Sequence, residues 1–304
     1  MYSNDGGDMV QNELINELKL LDCEVVPSFD MRDCYCLNGK VYTGDGFDLT
    51  KLDVLYHMNA DEQNIHQHDI LKAIELSGVK VINDTESFFK CKDKFITNFI
   101  LKNNNINVPE AILIPSNKLS ENIKEKLMKF KSFLVKPRDN YGGYGIIKFS
   151  DAEQFEDYFL ATKNFYSNYY IEKFIDFSDH DHRVEIFNNQ IVGSYSRSKK
   201  HSFKTNVSSG GTLNSVCIGD EEKDIALKSA KIMGITSTII DMIKSKENGE
   251  FYVLEVNPLL GLFVQACIKS GERNLSKNFF DKNSYNDDVK LQAIVNYIKT
   301  ICEM

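Results

Sequence analysis

An α/β fold is what this sequence predicts, on three observations. Helix-spaced and strand-like segments alternate as far as Asn83, which implies a parallel sheet. A long mixed region follows to about Phe165, with one clear strand inside it. From Tyr169 onward, strand-like runs succeed one another across turn residues.

Between Asp8 and Leu21 the apolar residues Val10, Leu14, Leu18 and Leu21 recur at helical spacing, and Cys23 to Pro27 reads as a strand. Asp53 to His57 is the next strand, His68 to Leu76 a helix that Gly78 stops, and Val79 to Asn83 another strand. A domain of this kind normally opens on a strand, so either a first strand is missing or Met1-Tyr2-Ser3 is its remnant. One helix is expected from Ser87 to Lys102, ending in an Asn-rich turn before Val108-Pro109, and the mixed region holds the strand Ser132 to Lys136. Tyr169 to Glu172, Asp181 to Phe187 and Gln190 to Tyr195 follow as strands, with Asn188-Asn189 a natural hairpin turn. A helix from Glu221 to Met233 leads into a second hairpin, and an amphipathic helix from Val289 to Ile301 closes the chain. There is no internal repeat and no low-complexity linker.

At 304 residues the chain can bury a substantial core divided into two or three subdomains. Its 42% apolar and 26% charged content is that of a globular protein. A net charge of −8 argues against general nucleic-acid binding, because a phosphate polyanion would be repelled. No apolar run approaches the ~20 residues that span a bilayer, and Met1 to Asp8 lacks the basic and apolar regions of a signal peptide, so a cytoplasmic protein is expected. The seven cysteines are odd in number and scattered, which fits reduced thiols. Cys34-Tyr35-Cys36 has no second pair or nearby His at zinc spacing. His57, His66 and His68 lie near the end of a strand without an evident third ligand and are read as ordinary histidines.

The second hairpin carries acids whose meaning depends on register. Ser237 to Lys244 and Phe251 to Pro258 flank Ser245 to Glu250. A two-residue Asn248-Gly249 turn pairs Asp241 with Val256 and turns Glu255 to the opposite face, since side chains alternate with period two. A three-residue loop Glu247-Asn248-Gly249, with Gly249 left-handed, instead pairs Asp241 with Glu255 and puts Asn257 on the same face. Two carboxylates and an amide oxygen together suit Mg²⁺, which prefers hard oxygen ligands. An odd-numbered loop, or an even one with a compensating bulge, is therefore the requirement for a metal site. By itself the hairpin is equally readable as a solvated acidic edge.

Lys136 ends a strand and is followed by Pro-Arg-Asp-Asn-Tyr and then Gly142, Gly143 and Gly145. Glycines let backbone N–H groups approach a polyanion, and the lysine adds a point charge for phosphate oxygens. The lysine precedes the glycines, so this is no Walker loop, and no helix opens at the last glycine as a dinucleotide fingerprint requires. Lys94 lies earlier on the expected helix; after the loop come the apolar strand Tyr170-Ile-Glu172-Lys173-Phe174, then Asp181 and Arg183. A basic segment follows, with Arg197, Lys199, Lys200, His201, Lys204, Thr205 and Asn206, and Gly210-Gly211 after it.

In this order the motifs resemble the ATP-grasp superfamily, and most closely its RimK-like carboxylate–amine ligases, over about residues 50 to 270. The resemblance implies an α/β protein with α+β ATP-grasp lobes: an N-terminal Rossmann-like pre-ATP-grasp domain (1–86), then two ATP-grasp subdomains (87–168 and 169–304) that sandwich ATP, the second holding the metal site. It implies that Lys94 and Lys136, with Gly143 and Gly145, hold the nucleotide phosphates, that Glu172 and Lys173 touch adenine, and that Asp181 contacts the ribose. Lys204, Thr205 and Asn206 lie near the nucleotide on the same resemblance. Arg183 faces the reacting phosphate or substrate, Arg197 is a second catalytic candidate, and Asp241, Glu255 and Asn257 hold a pair of Mg²⁺ ions, with Mn²⁺ as the substitute. Arg197, Lys199, Lys200 and His201 are candidates for an acidic substrate, or a solvated basic loop. Two departures stand out: Asn140 replaces the family's first loop glycine with the bulky Tyr141 after it, and Asn257 is followed by Pro258-Leu-Leu-Gly261.

The implied reaction is ATP-dependent amide formation between a small-molecule carboxylate and an amine, through an acyl phosphate, with release of ADP and phosphate. The absence of a Ser-His-Asp or Cys-His arrangement then follows, because the work is electrostatic. The rivals are an ATP-grasp kinase that stops at phosphoryl transfer and a non-catalytic nucleotide-binding regulator. No nucleic-acid or membrane partner is expected, and a homo-oligomer is left open.

Overall fold

A computed structural model describes residues 7–26, 29–57, 65–140, 142–199, 203–206, 210–260 and 287–303. Met1 to Ser3, the candidate remnant of a first strand, lie outside them. The described residues begin with α1 (Gly7–Leu20), followed by a hairpin, β1 (Tyr35–Leu37) and β2 (Lys40–Tyr42). This hairpin was not expected; it turns at Asn38-Gly39, whose φ values of 53° and 77° are those of a tight two-residue turn. Cys23 to Val26 forms no strand, because Cys23 and Val25 pack sideways on an apolar cluster with α1 rather than pairing in a sheet. β3 (Val54–Tyr56), α2 (Ile65–Leu76) and β4 (Lys80–Ile82) make one β–α–β unit with parallel pairing. Among the described residues that sheet has two strands, short of a full Rossmann arrangement. His57 is buried beside it with Nε2 against the Asn83 carbonyl at 3.0 Å, and burial pushes its pKa down to about 4.

The single helix expected over Ser87 to Lys102 is two, α3 (Thr85–Lys92) and α4 (Lys94–Asn103). Asp93 causes the break: it takes an extended conformation, and its carboxylate accepts the Phe95 and Ile96 N–H groups at 3.0 and 3.2 Å, an N-cap for the second helix.

Two sheets then form the body of the molecule. The first has four antiparallel strands in the order β5 (Ala111–Pro115), β8 (Asn168–Lys173), β6 (Phe133–Lys136) and β7 (Ile147–Phe149). On one face Phe133, Val135, Phe149 and Ile171 pack against Leu127 of α5 (Glu121–Lys129) and Phe155 and Phe159 of α6 (Ala152–Thr162). Alternation sends Leu134, Lys136, Tyr170 and Glu172 to the other face. This sheet takes β8 from beyond residue 168, so the expected subdomain boundary and the sheet do not coincide.

The second sheet has five strands in the order β11 (Thr212–Ser215), β10 (Gln190–Ser198), β9 (His180–Phe187), β12 (Ser237–Lys244) and β13 (Phe251–Asn257), all antiparallel. Val184, Ile186, Ile240, Met242, Val253 and Val256 bury one face against Ala226, Ala230 and Met233 of α7 (Asp220–Met233) and against Leu101 of α4. The opposite face carries Asp181, Arg183, Glu185, Tyr195, Arg197, Asp241 and Glu255. The last helix, α8 (Asp287–Cys302), packs Leu291, Ile294, Val295 and Ile298 between α1 and the ends of β9 and β10. Asn83 ties the N-terminal unit to this sheet: its Oδ1 accepts from Thr236 and Ser237 N–H, and its Nδ2 donates to the Ser237 and Pro258 carbonyls. Among the described residues no helix is long and apolar enough to cross a membrane, and Cys23, Cys34, Cys36, Cys91, Cys217 and Cys302 are all free thiols.

Candidate active site

The acid pairing demanded by a metal site is present, by a different device from an odd loop. Ser245 closes the turn on Glu250 and Lys244 pairs with Phe251, which leaves an even loop; carried down unbroken, that register would send Glu255 to the core face. The register shifts between Met242↔Val253 and Asp241↔Glu255, so Leu254 is an extra residue in a β-bulge. The bulge turns Leu254 and Glu255 to the same side, where both line one pocket, while Asn257 pairs with Ile239 on the face of Asp241. Gly249 is left-handed at φ 74°, as expected of the turn.

That pocket lies between the two sheets and encloses about 680 Å³, including the part open to solvent. Ten expected site residues line it: Lys136, Glu172 and Lys173 from the four-stranded sheet, and Asp181, Arg197, Lys204, Thr205, Asn206, Asp241 and Glu255 from the other side. Lys94, at the N-terminus of α4, reaches Glu255 with Nζ 3.7 Å from Oε1 and donates to the Asn140 carbonyl at 2.5 Å. The glycine loop closes on the basic segment, since Lys204 Nζ donates to the Gly143 carbonyl at 2.9 Å. Gly143 has φ 73°, and a Cβ there would stand against the Asn206 side chain, so glycine is required twice over. Arg138 pairs with Asp93, which fastens the start of the loop to the cap of α4.

The charges on the five-stranded sheet form a lattice. Arg183 donates from Nε to Asp241 Oδ1 at 2.7 Å; Arg197 donates from Nη2 to Asp241 Oδ2 at 2.8 Å and to Asp181 Oδ2 at 2.5 Å. Thr205 Oγ1 also donates to Asp181. Burial alone would raise the Asp241 carboxyl, but Arg183 and Arg197 more than offset it and hold it below the usual range. On the other side of the pocket Lys136 Nζ sits 2.5 Å from Glu172 Oε2, and the Tyr170 hydroxyl donates to Glu172 Oε1 at 2.5 Å. Arg197 thus bridges two acids at 8% exposure. Lys199 is turned to the Phe177 carbonyl at 3.2 Å and does not line the pocket, and burial lowers its pKa. Lys200, His201 and Tyr141 lie outside the described residues.

Asp241, Glu255 and Asn257 supply only oxygen ligands from one face, the donor chemistry of a hard divalent cation. Each Asp241 oxygen accepts one arginine hydrogen bond and keeps a lone pair, so the set fits Mg²⁺. Among the described residues no three His, Cys, Asp or Glu side chains cluster to hold a metal, so the candidate rests on two carboxylates and an amide.

Motif reading gave no site role to the apolar walls of the pocket: Pro109, Leu134, Ile146, Phe174, Ile175, Phe177, Phe203, Ile243 and Leu254. Phe174 and Phe203 meet edge to face at 6.1 Å, with Lys148 Nζ 3.4 Å over the Phe174 ring. Leu134, Phe174 and Ile243 carried a periodic signal, each two residues from an expected site residue, Lys136, Glu172 and Asp241 respectively.

Three comparisons bear on this geometry. The RimK-like ATP-grasp domain matches residues 91–278. Among characterised proteins, the chain is 26% identical over 307 residues to the tetrahydromethanopterin:alpha-L-glutamate ligase of Methanocaldococcus jannaschii, covering 96% of this chain and 97% of that one. It is 27% identical to the alpha-aminoadipate–LysW ligase LysX of Sulfolobus acidocaldarius, over 81% of this chain and 88% of the relative. In fold it is similar to the ATP-grasp ligase PsnB complexed with a minimal precursor, at TM-score 0.67 and 15% identity, with 95% of each chain covered. It is also similar to the ATP complex of D-alanine–D-alanine ligase from Bacillus anthracis, at TM-score 0.63 and 18% identity, covering 97% of this chain and 92% of that one.

Proposed function

The chain belongs to the RimK-like ATP-grasp family, and from that premise we propose that it joins an amino acid, as one partner of a carboxylate–amine pair, to a small acidic or peptide-like acceptor. As a carbon–nitrogen ligase it uses ATP. A substrate carboxylate oxygen bonds to the γ-phosphorus while the bond to the ADP oxygen breaks. The amine then bonds to the acyl carbon, the carbon–oxygen bond to phosphate breaks, and the amine gives up a proton.

In this proposal Lys94 and Lys136 meet the phosphates, with the Gly143 to Gly145 backbone and Lys204, Thr205 and Asn206 closing over them. Glu172 and Lys173 lie along the base, Asp181 along the ribose, and the apolar walls keep water from the acyl phosphate. Arg183 faces the transferring phosphoryl group. Arg197 serves by holding Asp181 and Asp241 in place, in keeping with its two acid partners. Asp241, Glu255 and Asn257 would hold a pair of Mg²⁺ ions, which supply positive charge against the repulsion between carboxylate and triphosphate. A cytoplasmic location, where ATP is plentiful, belongs to the same proposal.

The observation that carries the reading is Asp241 opposite Glu255 on the wall of a pocket whose far wall is Lys136. The experiment is incubation of the purified chain with ATP, Mg²⁺ and a panel of amine and carboxylate pairs that includes glutamate, followed by mass spectrometry. ADP, phosphate and an amide are expected; a phosphorylated product with no amide would establish the kinase reading instead.

A further inference from the structure

Arg183 is held at two of its three nitrogens. Nε donates to Asp241, and Nη1 donates to the hydroxyl of Tyr195 at 2.9 Å. Among the described residues Nη2 makes no hydrogen bond. Tyr195 lies directly opposite Arg183 on β10, is 4% exposed, and presents its ring centroid 5.5 Å from Cζ of the guanidinium. The next residue along the same face of β9 is Glu185, a fully buried carboxylate whose nearest cation is Lys290 at 2.7 Å. The guanidinium therefore stands between two acids, Asp241 and Glu185, that can each attract it. A guanidinium fixed at Nε alone can pivot about that bond; fixed at Nε and Nη1 it has one plane and one direction for Nη2.

We propose that Tyr195 is a positioning residue for the ligase reaction: its hydroxyl and ring hold Arg183 toward Asp241 and away from Glu185, so that Nη2 points at the group being transferred. The inference rests on the reading of Arg183 given above. It assigns to one oxygen atom an effect on the chemical step and none on nucleotide affinity: neither Tyr195 nor Arg183 lines the pocket as it stands, and the effect runs through the guanidinium that holds Asp241, which does line it.

The test is a double-mutant cycle of Tyr195→Phe and Arg183→Lys on the full chain, with kcat, the KM for ATP and the melting temperature measured for each variant. Phe retains the ring, so folding is checked by melting before rates are compared. Tyr195→Phe is expected to lower kcat about tenfold, as misplacing a catalytic group does, with the KM for ATP within about twofold. In the Arg183→Lys background the same change is expected to cost less than about twofold, because the fork it aims is gone. Tyr195→Phe with unchanged kcat, while Arg183→Lys is slow, would overturn the inference and leave the role of Arg183 intact. An equal loss in both backgrounds would also overturn it, since the tyrosine would then act by another route. If Arg183→Lys and Arg183→Met both turn over like the parent, the reading of Arg183 itself fails.

Discussion

Lys290→Met leaves Glu185 as a buried carboxylate without its cation, and removes the same ammonium from Asp287, whose Oδ1 lies 3.9 Å from it. The Lys290 and Glu185 side chains are both at 0% exposure, 2.7 Å apart, and joined across the fold from α8 to β9. At an effective dielectric constant of about 20 their attraction is about 6 kcal/mol, part of which is spent on desolvating the ammonium. Methionine keeps the apolar stem, so little cavity forms. The bare carboxylate escapes by taking up a proton, and the cost is that of protonating a glutamate of ordinary value 4.5 at the working pH. At 1.36 kcal/mol per unit this comes to about 0.7 kcal/mol at pH 5 and about 4 kcal/mol at pH 7.5. Burial already raises Glu185 in the parent. A group raised on folding contributes stability that is fully present below 4.5 and lost as pH rises through its folded value, so the variant must weaken toward alkaline pH. Urea unfolding of parent and variant at pH 5 and pH 7.5, without nucleotide, reads the difference. A loss below about 1 kcal/mol at pH 7.5, or one equal at the two pH values, would refute the reasoning. Adding Glu185→Gln should recover most of the loss and flatten the pH dependence.

Asp241→Asn should lower Mg²⁺-dependent turnover by at least about a hundredfold, as removal of an anchoring charge from a phosphoryl-transfer site does; parental turnover would exclude the metal assignment. Gly143→Ala places a Cβ against the Asn206 side chain at a left-handed φ of 73° and should weaken ATP binding about tenfold by calorimetry, with equal affinity refuting loop closure on Asn206. Asn83→Ala removes four hydrogen bonds that tie the end of β4 to the start of β12 and the end of β13. About 3 to 5 kcal/mol of stability should go with them, and a denaturation shift under about 1 kcal/mol would show that water replaces them.

The strands after Tyr169 were legible because each carries period-two alternation and ends at residues suited to turns: Asn188 and Asn189 adopt φ values of 47° and 60° there. The helical break at Asp93 was not legible. Ser87 to Lys102 keeps a helical pattern, and what ends α3 is a carboxylate held in place by Arg138 from a loop distant in sequence. Cys23 to Val26 failed as a strand for the related reason that alternation describes a surface and does not supply a neighbouring strand.

Chemistry was determined by the sequence alone: lysine before glycines, an acid and an arginine two apart on a strand, and two acids and an asparagine around a turn. Those residue types restrict what each can bind, but whether they share one site depends on the register of the hairpin. Geometry was decided only by tertiary structure. A register is set by turn and bulge together, and the bulge at Leu254 has no signature in the chain. Partners such as Lys290 and Glu185 are brought together by burial, which acts on surface rather than on order in sequence.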